Sequence, residues 1–196
     1  MILTKPDEWD ADALNLALVY GGTEKQAFDN TELDGPWPNL MRNSMNAHIW
    51  SWKHPNFLCV PATHGSAHLA PYDDHLWDKY QLAKLTRRKL ESNTLAKTSE
   101  AAAADPADFQ KAQGAFSPRD NSIPALQRRG AVFITRHNTI WELSAGRLKA
   151  GINPDHLSLQ AMAAEFTNHL IDGVVPSPGA IGTLPELQRA GFDYAK

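Results

Sequence analysis

A single cysteine in 196 residues is the first constraint on this chain. A lone thiol closes no internal disulfide and supplies no cysteine cluster for zinc. No apolar run approaches the ~18 residues of a membrane-spanning helix. A net charge of −3 gives no excess of positive charge to draw the chain to nucleic acid or an anionic membrane, so neither partner is expected. Residues 1–10 lack a basic stretch followed by an apolar one, so no leader peptide is expected either. That makes the expected compartment cytoplasmic by default, or periplasmic if a leader has been removed. Tightly spaced catalytic signatures are missing too. There is no HExxH and no GxSxG turn, and Gly21-Gly22-Thr23 is too short for a phosphate loop and lacks its lysine. What remains is a chain with 42% apolar and 21% charged residues, the composition of a folded domain. One domain is the natural reading of this length.

Elements alternate along the chain. Asp10 can cap a helix from Ala11 to Tyr20, stopped by Gly21-Gly22. The alternation of Leu14, Leu16 and Leu18 would also suit a strand; the helix is the preferred reading. A short apolar element at Gln26 to Phe28 leads to Asp29 and Asn30, and residues 34–38 form a turn. Asn39 is the expected cap of a helix running to about Trp52. Phe57 to Thr63 has strand length, with Pro61 forcing incomplete pairing or a bulge. Asp73 or Asp74 opens a helix towards Leu90, and residues 92–121 read as a variable polar insertion. Ser122 to Arg129 is a short helix. Gly130 then precedes a buried strand, Ala131 to Thr135, which runs into Arg136, His137 and Asn138 before a helix begins near Thr139. Asn153-Pro154 is the expected start of the next helix, with Leu159, Met162, Phe166 and Leu170 on one face. Val174 to Ser177 is a strand, a last helix lies within 178–190, and Phe192 to Ala195 closes the chain as a strand. Alternating strands and helices require right-handed crossovers and a parallel sheet covered on both faces. The expected fold is therefore a three-layer α/β/α domain.

Several segments together carry a family pattern. They are KQAFD (25–29), LMRNSMNAHIW (40–50), THGSAHLAPYDDHLWDKY (63–80), SPRDNSIPALQRRGAVFITRHN (117–138), INPDHLSLQAMAAEFTNHL (152–170) and GVVPSPGAIGTLPELQRAGFDY (173–194). In these the chain resembles the DsrE/DsrF-like superfamily. The closest likeness is to a branch of largely uncharacterised bacterial proteins, many with a twin-arginine export leader. The resemblance implies a parallel sheet of about five strands with flavodoxin-like topology, and assembly as a homo-oligomer, trimer or hexamer. It also implies sulfur relay through a cysteine persulfide, often on a Cys-Asn dipeptide after the third main strand. The matching positions here are Arg136, His137 and Asn138, and the cysteine is missing. A persulfide requires a thiolate sulfur, which neither guanidinium nor imidazole replaces. Cys59, inside an apolar strand, reads as a buried inert thiol.

In an open α/β sheet, ligands are held at the carboxyl ends of the strands. His64 and His137 end the second and third strands, and Asp29 and Asn30 end the first. Arg42, Asn43 and Asn46 are expected to point to the same edge. Arg136 would supply charge for a carboxylate or a sulfur oxyanion, and the helix after Asn138 would add amide donors. The competing reading is that these residues satisfy loop carbonyls and one another. The expected function is thus a non-thiol binding protein for a small anion or sulfur species, with no cofactor specified. In it Arg136 and Asn138 hold the ligand while His64 and His137 orient it or move protons. Two rivals are a metal- or cofactor-dependent enzyme and a purely structural oligomer. His64, His68 and His75, with Asp73 and Asp74 nearby, are the metal candidates. His48, His54, His156 and His169 read as ordinary surface or partly packed histidines. The tryptophans are assigned to core packing and a subunit interface.

Overall fold

The second strand decides how this chain is layered. β2 (Leu58–Thr63) has all six residues buried, so it must be covered on both sides and flanked by partners. Its neighbours are β1 (Lys25–Asn30) and β3 (Ile134–Arg136). Beyond them lie β5 (Asp193–Ala195) against β1 and β4 (Val175–Ser177) against β3. All four pairings are parallel, and the strand order is β4-β3-β2-β1-β5. Residues 11–86, 90–97 and 121–196 are described by the computed structural model, so most of the insertion expected at 92–121 lies outside the described residues.

The crossovers place the helices in two layers. From β1 to β4 the chain steps in one direction across the sheet, and right-handed connections keep all the intervening helices on one face. These are α2 (Trp37–Asn46), α3 (Asp74–Lys79), α4 (Ile123–Arg128), α5 (His137–Lys149) and α6 (Leu159–Asn168). The last connection returns across β3, β2 and β1 to the far edge, which puts α7 (Ala180–Arg189) on the opposite face with α1 (Ala11–Leu18). Two apolar clusters follow. Phe28, Cys59 and Phe133 join Trp37, Met41, Tyr80 and Phe166 on the first face. Ala27, Val60, Ala62 and Ile134 join Leu14, Leu184 and Leu187 on the second. The period-two alternation of Ala27 and Phe28, or of Phe133 and Ile134, assigns each strand residue to its layer.

The three-layer fold expected from the alternation of elements is the one observed. In strand order it departs from the flavodoxin arrangement, 2-1-3-4-5. Here the strand outside β1 is the last in sequence rather than the second. Pro61 behaves as its missing amide requires. β2 pairs with β1 along its whole length, but its ladder to β3 covers only Ala62 and Thr63.

Several element boundaries differ from expectation. The second helix begins at Trp37, inside the expected turn, and Asn39 lies within it rather than capping it. The helix opened by Asp73, whose Oδ1 accepts from the Leu76 amide at 2.9 Å, ends at Lys79. Asn153 does not start a helix. Its side chain closes a loop by accepting from the Leu157 amide and donating to the Leu157 carbonyl, both at 2.9 Å. Ser158 is the cap instead, accepting from the Ala161 amide at 3.1 Å. Among the described residues no helix is long and apolar enough to cross a membrane.

Phe133 is fully buried and meets the Trp37 ring edge-on at 6.2 Å between centroids. Its truncation leaves a cavity between α2 and β3. Phe133→Ala is expected to cost about 3–5 kcal/mol, measured as a lower urea midpoint with an unchanged slope.

Candidate functional site

Three neighbouring strands deliver one hydrogen-bonded chain at the carboxyl edge. The Tyr194 hydroxyl, on β5, donates to Asp29 Oδ2 at 2.7 Å. The other oxygen, Asp29 Oδ1, is paired with His64 Nε2. Alternation explains the meeting, because Ala27 is partnered with Tyr194 and Asp29 with Ala62, placing these side chains on the α7 face of the sheet. His64 follows in the same extended phase, with φ −150° and ψ −173°. Burial of Asp29 works against its charge. Hydrogen bonds from Tyr194 and His64, the field of His64 and that of Lys196 outweigh it and hold the carboxyl below its ordinary range. A carboxylate on Nε2 fixes that proton and leaves Nδ1 as the lone-pair nitrogen facing outward. The arrangement can therefore accept a proton at Nδ1 and stabilise the resulting imidazolium.

The loop that carries His64 is set by a glycine. Gly65 has φ +58°, and a Cβ there would lie 2.5 Å from the Thr31 carbonyl oxygen. Only a residue without a side chain lets the turn after β2 lie against the turn after β1. A 3₁₀ turn, Gly65–Leu69, then carries His68 inward. His68 is buried, and its Nδ1 has no hydrogen-bond partner among the described residues. Burial, then the positive fields of Arg136 and His64, lower its pKa to about 4, so the ring is neutral at physiological pH. Arg136 follows Thr135, the partner of Thr63, so Arg136 and His64 leave neighbouring strands side by side. Its guanidinium reaches Glu142 at 3.3 Å, a half-exposed contact of little strength. Ser177 on β4 is the register partner of Arg136, and α7 begins three residues later.

The other residues expected at this edge are placed differently. His137 is the first residue of α5 and is buried, accepting at Nε2 from the Trp141 indole at 3.2 Å. It belongs to the layer opposite the Asp29–His64 pair, because alternation turns it away from Arg136. Asn30 is buried and donates to Met41 Sδ at 3.8 Å, also on the α2 side. Asn138 is exposed at the start of α5. Arg42, Asn43 and Asn46 do not reach the edge. Arg42 Nη2 donates to Asn39 Oδ1 at 2.6 Å and to Asn43 Oδ1 at 3.0 Å, and Asn46 accepts from Arg129. The helix has by then descended to the amino half of β1, where Ser44 donates to Gln26. Burial, followed by repulsion from Arg42, lowers the Arg129 pKa to about 9. Cys59 is fully buried and burial drives its thiol well above the usual range, so it is no nucleophile.

A cleft of about 330 Å³ opens beside the pair, over the turns after β1 and β2, walled by Glu32, Asp34, Gly65 and Ser66. Its carboxylates make it a poor seat for an anion, and the His64 ring does not line it. The metal candidates His64, His68 and His75 are not brought together: His64 turns to Asp29, His68 is buried, and His75 stacks on His169 at 4.8 Å. Tyr194, from the final strand, was invisible to sequence reading because nothing local shows that β5 returns beside β1. No family model matches the chain, and no curated protein or solved structure is significantly similar to it.

Because His68 is neutral in the fold and its unfolded form binds a proton near 6.5, stability falls as pH drops from about 6.5 to about 4. The loss attributable to this ring is on the order of 3 kcal/mol. Urea midpoints measured across that range should flatten in His68→Gln, and an unchanged slope would show that His68 is not the group responsible.

Proposed function

We propose that the carboxyl edge of this sheet binds a small oxyanion, such as a sulfur oxyanion, and exchanges a proton with it. The observation that carries the reading is the Tyr194–Asp29–His64 chain, with Arg136 leaving the adjacent strand beside it. Arg136 offers a planar fork suited to two oxygens, and its weak contact with Glu142 leaves it free to exchange partners. The Lys196 charge, felt at Asp29, adds positive field at the same edge. His64, oriented by Asp29, is the proton donor and acceptor. Its role needs no sulfur nucleophile, in keeping with the missing cysteine of the DsrE-like pattern. The chemistry open to such a site is proton transfer to a bound anion, not persulfide relay.

The homo-oligomer, trimer or hexamer, belongs to the same proposal. Leu16 and Val19, on or just past α1, and Ile181 on α7 are 73%, 74% and 74% exposed, all on one layer. Apolar side chains so displayed on a single face favour burial between copies. Light scattering of the purified chain is expected to give a mass three- or sixfold that of one chain. A monomer at all concentrations would remove this part of the reading.

Sulfate, sulfite and phosphate are the probes for the site. A probe at 100 times its Kd should raise stability by ~2.7 kcal/mol, read as a thermal shift. Arg136→Ala is expected to abolish that shift. His64→Gln should retain part of it while removing its pH dependence. Arg189→Ala, an exposed residue paired with Glu186, serves as the control. Shifts of equal size in Arg136→Ala and Arg189→Ala would refute binding at this edge.

A further inference from the structure

The opposite edge of the sheet holds a second constellation, built from Glu24, His48 and His54. Glu24 precedes β1 directly. His48 lies in a single π-helical turn, Ala47–Ser51, that continues α2. Such turns are rare and recur at functional sites. Lys53 then adopts φ +62°, the left-handed region that side chains disfavour. Together the two irregularities fold the chain back on itself, so that the His54 amide donates to the His48 carbonyl at 2.9 Å. The turn reaches the core only at its margin: none of residues 47–51 is fully buried, and Ile49 packs against the apolar cluster from its edge. What the two irregularities also achieve is to bring two imidazoles together, their rings tilted by 44° with centroids 5.7 Å apart.

The donor atoms have the spacing of a coordination shell. His54 Nδ1 lies 3.5 Å from His48 Nδ1 and 3.6 Å from Glu24 Oε2. All three donor atoms lie within 4.8 Å of one another. A tetrahedral ion with bonds of ~2.0–2.1 Å holds its ligands ~3.3–3.4 Å apart, so two edges of the tetrahedron are already within a few tenths of an ångström. As a hydrogen bond, 3.5 Å between two ring nitrogens is poor, since such bonds cluster near ~2.9–3.0 Å. The His48 ring is fixed in place: it stacks on Phe57 at 4.0 Å and 7° and meets Trp52 edge-on at 4.8 Å. Asp193 adds a further negative field at His48. Glu24 is 40% exposed, with the freedom to close the third edge.

We infer that Glu24, His48 and His54 form a binding site for a first-row divalent cation of the zinc class. Two imidazole nitrogens and one carboxylate oxygen are ligands such ions accept. Three protein ligands leave the fourth position to water. Among the described residues a second group of suitable side chains, His75, Glu165 and His169, is already committed. There Glu165 is bound by Lys79 and by the Tyr80 hydroxyl, and an ion would have to displace that ammonium.

Calorimetric titration of the full chain with Zn²⁺ is expected to give one ion per chain. Affinity should fall at least ~10-fold in both His54→Ala and Glu24→Gln, each losing one of three protein ligands, and stay unchanged in His169→Ala. Co²⁺ added in place of Zn²⁺ should give the intense visible bands of a tetrahedral ion, lost in the same two variants. Glu24→Gln carries the test if His54→Ala fails to fold, because the Glu24 side chain lies at the surface. Absence of saturable binding overturns the inference. So does binding that survives both variants, or that is lost only in His169→Ala.

Discussion

Everything in this molecule follows from a central strand with no solvent-facing side. The six residues of β2 are buried, so the faces of the sheet offer mainly apolar contacts, and polar side chains gather where strands begin or end. A parallel sheet makes those two edges unequal. Its carboxyl edge receives the turns that lead into helices, where side chains are displayed towards incoming ligands. The amino edge receives the returning helix ends. This chain places a polar constellation at each.

Alternation then divides the carboxyl edge between two layers. Asp29 and Asn30 are consecutive, yet one meets His64 and Tyr194 on the α7 side while the other is buried against Met41 on the α2 side. Arg136 and His137 separate in the same way. A pattern that looks like one cluster of nine polar residues in the sequence is, in space, a hydrogen-bonded Asp29–His64 pair with an arginine on the next strand, a buried histidine and asparagine on another layer, an exposed Asn138, and a helix-borne network joined to Arg129. The pair owes its depressed Asp29 pKa to hydrogen bonds and nearby positive charge that overcome burial. The His64 bond follows from the pairing of β2 with β1, and the Tyr194 bond exists because β5 comes back to pair with β1.

This explains which parts were legible from sequence. Strand and helix alternation was readable because the apolar runs 58–63 and 131–135 and the 3.6-residue spacing of Met162 and Phe166 are local signals. Asp29, His64 and Arg136 were legible as strand-end residues for the same reason. Height along a helix was not. Arg42 and Asn46 start from the right loop, but α2 carries them down towards Gln26 and Arg129. Asn153 failed as a cap because its side chain spends both its groups on Leu157, which leaves Ser158 to open α6. Glu24, His48 and His54 were unreadable for a different reason. Their convergence depends on a π turn and a left-handed Lys53, and neither has a sequence signature.

The two edges are joined by β1 yet are physically separate. Glu24 stands one residue before the strand and Asn30 ends it, a rise of ~3.3 Å per residue, so the constellations lie about 20 Å apart along a rigid, doubly covered strand. Screening over that distance at physiological ionic strength leaves little direct field between them, since the Debye length is ~8 Å. Charge at the amino edge therefore cannot tune His64 through space. β5 touches both edges, through the field of Asp193 at one end and the Tyr194 hydroxyl at the other, as β2 does through its flanking residues, Phe57 against His48 and His64 against Asp29. Asp193 and Tyr194 are adjacent on a three-residue strand that pairs on one side only, one of the two edge strands of the sheet. Coupling between the edges therefore runs through how firmly β5 and β2 hold β1.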